Sequence, residues 1–198
     1  VTADNTKIVS ASANTGQEIS KIAVWALDTG MLLKTLDLMK GTLAGVPSVA
    51  ITSDNTKIVA AYLDTIGLWD LNSGKLLKTL VGHQFYVRSI TVTTDNAKII
   101  SESEDSTIRI WDLNKGKPLK VIMAYPSCPV VITSDTTKIV SATRAKINVW
   151  ELNKGNMLKS MKRKGDVSKI TSLALTSDDT KIVSCSEDNS LNVWNLNT

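Results

Sequence analysis

One histidine, one phenylalanine and two cysteines occur in 198 residues, and each scarcity removes a class of chemistry. A zinc site gathers three or four ligands, and His83 has no cluster of histidines or cysteines around it. Cys128 and Cys185 stand at unrelated positions, a poor framework for stapling. None of the thirteen asparagines opens an Asn-X-Ser/Thr acceptor site. No apolar run approaches the roughly 18 to 20 residues of a membrane helix, and VTADNTKIVS at the start lacks the basic opening and apolar core of a signal peptide. Charge of one sign is also missing: 23 basic against 19 acidic residues leave +4, which does not demand a nucleic-acid partner. There is no GxSxG, GxxxxGK[ST] or HExxH, and carboxylates scattered in turns do not form a general acid and base pair. The expectation is an intracellular, cytoplasmic protein, with nuclear or cytoskeletal association open. It is expected to have no enzymatic activity, no cofactor, no bound metal, no small-molecule substrate and no membrane insertion.

What the chain does contain is repetition. A turn segment recurs five times, as ADNTKIVS from Ala3, SDNTKIVA from Ser53, TDNAKIIS from Thr94, SDTTKIVS from Ser134 and SDDTKIVS from Ser177. Each copy leads to a tryptophan, at Trp25, Trp69, Trp111, Trp150 and Trp194, with spacings of 44, 42, 39 and 44 residues. A strand-built period of about 40 to 45 residues is the mark of a propeller blade. With 42% hydrophobic residues the chain can bury a core.

The third copy is the clearest. Val87 to Thr93 is rich in β-branched residues and stops at Thr94-Asp95-Asn96, whose side chains favour turns. Lys98 to Ser103 forms a second strand, Glu104 to Ser106 a turn, and Thr107 to Trp111 a third strand in which Ile108 and Ile110 alternate with Arg109. Asp112 to Gly116 closes another hairpin. Glycine recurs five residues after tryptophan at Gly30, Gly74, Gly116 and Gly155, where a hairpin favours positive φ. Each repeat thus reads as a four-stranded antiparallel meander, strands a to d. Both of its faces carry apolar residues, so blades must stack around an axis.

Gly82-His83 at the start of this repeat and Trp111-Asp112 near its end, with Trp69-Asp70 in the second, resemble the WD40 family over essentially the whole chain. The resemblance implies an all-β propeller of about five four-stranded antiparallel blades, at approximately 1–36, 37–80, 81–122, 123–161 and 162–198, the first and last incomplete. A strand d and a strand a are wanting between the last copy and the first, so the chain is expected to be a segment of a larger propeller of about seven blades or more. The family's structural hydrogen-bond network carries over to His83, Ser101 or Ser103, Asp105 and Trp111 in the third repeat, and to Ser184 or Ser186, Asp188 and Trp194 in the fifth. Thr42 and Asp166 stand where histidine is expected in the second and fifth repeats. The first copy lengthens its b to c turn with ANTGQEIS, and the second and fourth shorten theirs at YLDT and TRA.

Partner-binding candidates are the least repeated loops. Phe85 and Tyr86 lie between blades with Tyr125 at the matching place in the next repeat; they either anchor a partner, as aromatic side chains do at interfaces, or tuck between blades. Lys162, Arg163 and Lys164 could attract an acidic segment or stand as a solvated run. Glu104 and Glu187 precede the matched turn aspartates, and Arg144 lies in the shortened fourth turn. Lys7, Lys57, Lys98, Lys138 and Lys181 recur beside acidic turn residues, which suggests local compensation. The functional expectation is a non-enzymatic scaffold presenting a loop rim to protein partners in a complex. The alternatives are a sensing or autoinhibitory portion of a larger multidomain protein, such as an ATPase, or a peripheral structural component of a large assembly.

Overall fold

Each turn segment closes a hairpin because the residue after its aspartate takes the left-handed conformation: Asn5, Asn55, Asn96, Thr136 and Asp179 have φ between 53° and 56°. Asn and Asp tolerate that region, whereas a β-branched threonine does not. At Thr136 the neighbouring aspartate supplies the compensation. Asp135 Oδ1 accepts from the Thr137 N–H at 2.9 Å, the Thr137 hydroxyl at 2.8 Å and the Thr133 hydroxyl at 2.6 Å.

The computed structural model describes residues 1–12, 21–37, 45–124, 129–143, 146–162 and 168–196. Among these are eighteen strands and no helix, hence none long and apolar enough to cross a membrane. The first sheet joins β1 (Lys7–Ala11), β2 (Lys21–Ala26) and β3 (Leu32–Asp37) in chain order. The second is β4 (Ser48–Ile51), β5 (Lys57–Tyr62), β6 (Thr65–Asp70) and β7 (Leu76–Val81). The third is β8 (Val87–Val92), β9 (Lys98–Ser103), β10 (Thr107–Asp112) and β11 (Pro118–Met123), and the fourth β12 (Val130–Ile132), β13 (Lys138–Ala142), β14 (Lys146–Glu151) and β15 (Met157–Lys162). The fifth holds β16 (Ile170–Leu175), β17 (Lys181–Ser186) and β18 (Leu191–Asn195). All pairings are antiparallel between neighbours in sequence, so each sheet is a meander of the propeller-blade kind: the three middle sheets carry strands a to d, the first shows b, c and d, and the last a, b and c.

The c to d pairing slips by one residue at every tryptophan it contains, leaving Leu33, Leu77, Leu119 and Leu158 unpaired on strand d. This bulge follows the turn whose glycine has φ of 68° to 74°. The four leucines are 43% to 52% exposed, so the bulge turns an apolar side chain outward in each of these sheets.

The core lies between sheets. Ile22, Val24 and Leu36 of the first meet Ile58, Trp69 and Leu71 of the second. Val59, Ile66 and Leu68 meet Ile99, Trp111 and Leu113 of the third. Ile100, Ile108 and Ile110 meet Ile139, Trp150 and Leu152 of the fourth, and Val140, Ile147 and Val149 meet Ile182, Trp194 and Leu196 of the fifth. One face of every sheet therefore offers an Ile-Trp-Leu set and the other a set of β-branched and leucine side chains. Strands β4, β8, β12 and β16 approach one another at the inner side.

Polar clasps repeat with the same logic. The Ala3 N–H donates to Asn55 Oδ1 at 2.8 Å, the Ser53 N–H to Asn96 Oδ1 at 2.9 Å and the Ser134 N–H to Asp179 Oδ2 at 2.7 Å. Each left-handed side chain thus holds the turn of the sheet before it. Thr136 cannot do so; there the Thr94 hydroxyl reaches the Ser134 carbonyl at 3.3 Å. At the outer edge Lys34 donates to the Asn72 carbonyl, Lys120 to the Lys154 carbonyl and Lys159 to the Asn195 carbonyl.

Candidate functional site

Four side chains of the third sheet form a one-way relay. The Trp111 Nε1–H donates to Ser101 Oγ at 2.8 Å, Ser101 Oγ lies 2.7 Å from His83 Nε2, and His83 Nδ1 lies 2.8 Å from Asp105 Oδ2. A neutral imidazole protonated on Nδ1 satisfies every step: indole to hydroxyl, hydroxyl to Nε2, Nδ1–H to carboxylate. A second ring proton would leave the Ser101 hydroxyl with no acceptor there. Burial holds His83 below its ordinary value of 6.5, against the pull of Asp105. Burial would raise Asp105, but the Thr107 hydroxyl, the Gln84 N–H and His83 outweigh it and hold the carboxyl below the ordinary range.

Ser103 points to the same side as Ser101 but is bound elsewhere: its hydroxyl donates to the Phe85 carbonyl at 2.8 Å and accepts the Asp105 N–H at 3.1 Å. The fifth sheet divides its pair likewise. Trp194 donates to Ser184 at 2.8 Å, Ser186 donates to the Lys169 carbonyl at 3.0 Å, and Asp188 accepts the Ser190 N–H at 3.0 Å. Trp25 and Trp150 use Ser10 and Ser141 at 2.8 and 2.9 Å. Ala60 replaces that serine in the second sheet, and there the Trp69 ring lies against Gly67, where a Cβ would come within 2.1 Å of it. Tyr62, 6.1 Å from Trp69 between ring centres, fills the remaining space.

The relay fixes the loop that enters β8. Asp105 Oδ2 accepts the Gln84 N–H at 3.0 Å, Ser103 holds the Phe85 carbonyl, and the Glu104 N–H donates to the Tyr86 carbonyl at 3.0 Å. Phe85 is nevertheless 62% and Tyr86 47% exposed; neither tucks into the core. Arg88 stands 5.4 Å from the centre of the Tyr86 ring and pairs with Glu104 at 2.6 Å. Such a half-exposed pair contributes only about 0 to 1 kcal/mol, but it sets the position of both side chains. Tyr86, Arg88, Leu63, Val46 and Pro47 border a hollow of about 310 Å³. A neighbouring one of about 560 Å³ is bordered by Arg88, Glu104, Ser48, Pro129 and Lys169, where the inner strands begin. Leu63 has φ of 54° in the shortened turn between β5 and β6, and its carbonyl accepts the Val87 N–H at 2.7 Å.

Glu187 repeats Glu104 in backbone, its N–H donating to the Lys169 carbonyl at 2.9 Å. Lys162 ends β15 at the outer edge, opposite Lys146, so it is not joined to the aromatic pair. Tyr125, Arg144, Arg163 and Lys164, with Thr42, Asp166, Cys128 and the lengthened turn 13–20, lie outside the described residues. Thr107, Gln84 and Arg88 were not singled out in the sequence. Thr107 could have been, because Asp105-Ser106-Thr107 repeats the Asp-X-Thr pattern of four of the five turns, and its hydroxyl reaches Asp105 at 2.6 Å. At those turns the carboxylates are met chiefly by hydroxyls. Asp4, Asp135 and Asp178 are held down to about 2, first by the threonine two residues before and then by the one two residues after. Lys7 and Lys138 add a smaller attraction at Asp4 and Asp135.

The family model described as WD domain, G-beta repeat matches residues 74–112 and 157–195. Autophagy-related protein 16 of Arabidopsis thaliana is 28% identical over 186 residues, covering 93% of this chain and 36% of that protein. Cilia- and flagella-associated protein 52 of Bos taurus is 32% identical over 44% of the chain and 14% of its own length. Nuclear distribution protein nudF 2 of Talaromyces marneffei is 40% identical over 34% of the chain and 15% of its own length. The chain thus spans about a third of the plant relative and less of the other two.

Proposed function

We propose, from the premise that this chain belongs to the WD40-repeat family, that it is a non-catalytic scaffold whose loop before β8 receives a protein partner. The carrying observation is the pairing of exposure with rigidity. Phe85 and Tyr86 are open to solvent while three hydrogen bonds hold the backbone of Gln84, Phe85 and Tyr86. A partner would meet an aromatic surface already in place, with little ordering cost and little change of shape on binding. Glu104 and Arg88 beside it offer a polar border, in keeping with the aromatic centres and polar rims of protein interfaces.

A role within a longer protein is the second reading, favoured by the matches covering about a third or less of each relative's length. The test is affinity capture with the unmodified chain and with Phe85→Ala/Tyr86→Ala as baits. The double variant is expected to keep its melting temperature and to lose a stoichiometric protein that the unmodified bait retains. Identical recovery on both baits would end the proposal.

A further inference from the structure

We infer that the cleft between the third and fourth sheets is a second peptide-binding site, one that takes a bulky apolar side chain next to a carboxylate. Three sheets treat the residue two positions before the strand c tryptophan in three ways. In the second sheet that residue is Gly67, and the Trp69 ring itself lies on it. In the third it is Arg109, whose guanidinium runs past Trp111 to within 3.0 Å of where a Cβ on Gly82 would stand, with its Nε enclosed. In the fourth it is Asn148, too short to fill the same space. A hollow of about 480 Å³ remains there, walled by Met123 and Ala124 of the third sheet and by Trp150 and Met157 of the fourth. Both walls belong to complete four-stranded sheets. The hollow is separate from the aromatic pair before β8, which borders the second sheet.

The groups around the hollow define what it accepts. Met123 and Met157, 73% and 51% exposed, are unbranched thioethers that adapt to an incoming apolar side chain. Asn148 is only 6% exposed, and its Oδ1 accepts from the Ser160 hydroxyl at 2.8 Å, which leaves the amide N–H groups without an acceptor among the described residues. A donor enclosed by apolar walls favours a ligand oxygen, because leaving it unmet is costly. At the mouth Lys146 stands directly opposite Lys162 of β15, both exposed, and like charges facing each other across a strand pair repel. Among the described residues no carboxylate borders the hollow and neither lysine has an ion pair. An anion placed between them relieves the repulsion. Asn148 and Lys146 lie two positions apart on one face, about 7 Å, a span bridged by the carbonyl of an apolar anchor residue and the carboxylate of its neighbour. The volume suits one large side chain with its adjoining backbone.

The probe is an array of peptides Ser-Gly-Xaa-Zaa-Gly-Ser in which Xaa and Zaa run through every residue type. The unmodified chain is expected to be retained best where Leu, Met, Phe or Trp adjoins Asp or Glu, and least where the neighbour is Lys or Arg. On the best-retained peptide, followed by fluorescence polarisation, Asn148→Leu should weaken binding at least about tenfold by filling the hollow and removing the amide. Lys146→Glu should weaken it as much while leaving Tm unchanged or higher, since it sets an acid opposite Lys162; the opposed directions separate lost binding from a damaged fold. Phe85→Ala/Tyr86→Ala should bind like the unmodified chain, so this site and the loop before β8 are judged independently. An array without a joint apolar and acidic preference, affinity within about twofold of the unmodified chain for either Asn148→Leu or Lys146→Glu, or loss of binding in the Phe85/Tyr86 variant would each overturn the inference.

Discussion

Removing the Ser101 hydroxyl should destabilise the third sheet more than removing any other single serine hydroxyl of the tryptophan contacts. Ser101→Ala deletes the acceptor of the Trp111 N–H and the donor to His83 Nε2 together, in a site where Trp111 is 1% and His83 3% exposed. Each orphaned buried group costs about 1 to 3 kcal/mol. With some relaxation, the pair comes to about 2 to 4 kcal/mol. The second sheet escapes this cost with Ala60 only because its tryptophan lies over Gly67. The matching residue in the third sheet is Arg109, whose side chain blocks that retreat. Ser184→Ala is the control, since Trp194 is half-buried and only one recorded contact is lost, for about 1 kcal/mol. Urea titration followed by tryptophan fluorescence and circular dichroism measures both, coincidence of the two probes licensing a two-state treatment. At roughly 2 to 4 °C per kcal/mol for a chain of this size, Ser101→Ala should lower Tm by about 4 to 16 °C. A loss below about 0.5 kcal/mol, or one no larger than that of Ser184→Ala, would refute the relay as a determinant of stability.

Two further outcomes are expected. Because burial lowers the His83 pKa in the fold, its contribution to stability is complete above the unfolded value near 6.5 and is lost as pH falls from there toward the folded value; the urea midpoint should therefore drop below pH 6.5, and His83→Gln should flatten that segment while leaving the acid limb between about 4 and 2, which belongs to Asp4, Asp135 and Asp178. Gly74→Ala should destabilise more than Gly30→Ala in thermal melts: both glycines have positive φ, costing about 1 to 2 kcal/mol for alanine, but only at Gly74 would the new Cβ come within 2.7 Å of Leu36 across a junction.

The legible part of this protein was what lies close in sequence. The Asp-X-Thr turns, the hairpin glycines and the alternation of Ile108, Arg109 and Ile110 are local chemistry, and they placed the strands of the third repeat to within a residue. Ser101 and Ser103 stayed indistinguishable because strand residues two apart share a face; only the pairing of β9 with β10, which sets Ser101 diagonal to Trp111 and Ser103 at the strand end, separates them. The exposure of Phe85 and Tyr86 was equally out of reach, since the bonds that keep their backbone outward come from Ser103, Glu104 and Asp105, some twenty residues on. The same limit applies to the junctions. Asn5, Asn55 and Asn96 look identical as letters, each suited to a left-handed turn. Asn55 and Asn96 also hold the turn of the sheet before them, which no single copy of the repeat reveals. Repetition in sequence therefore states the interface twice per blade.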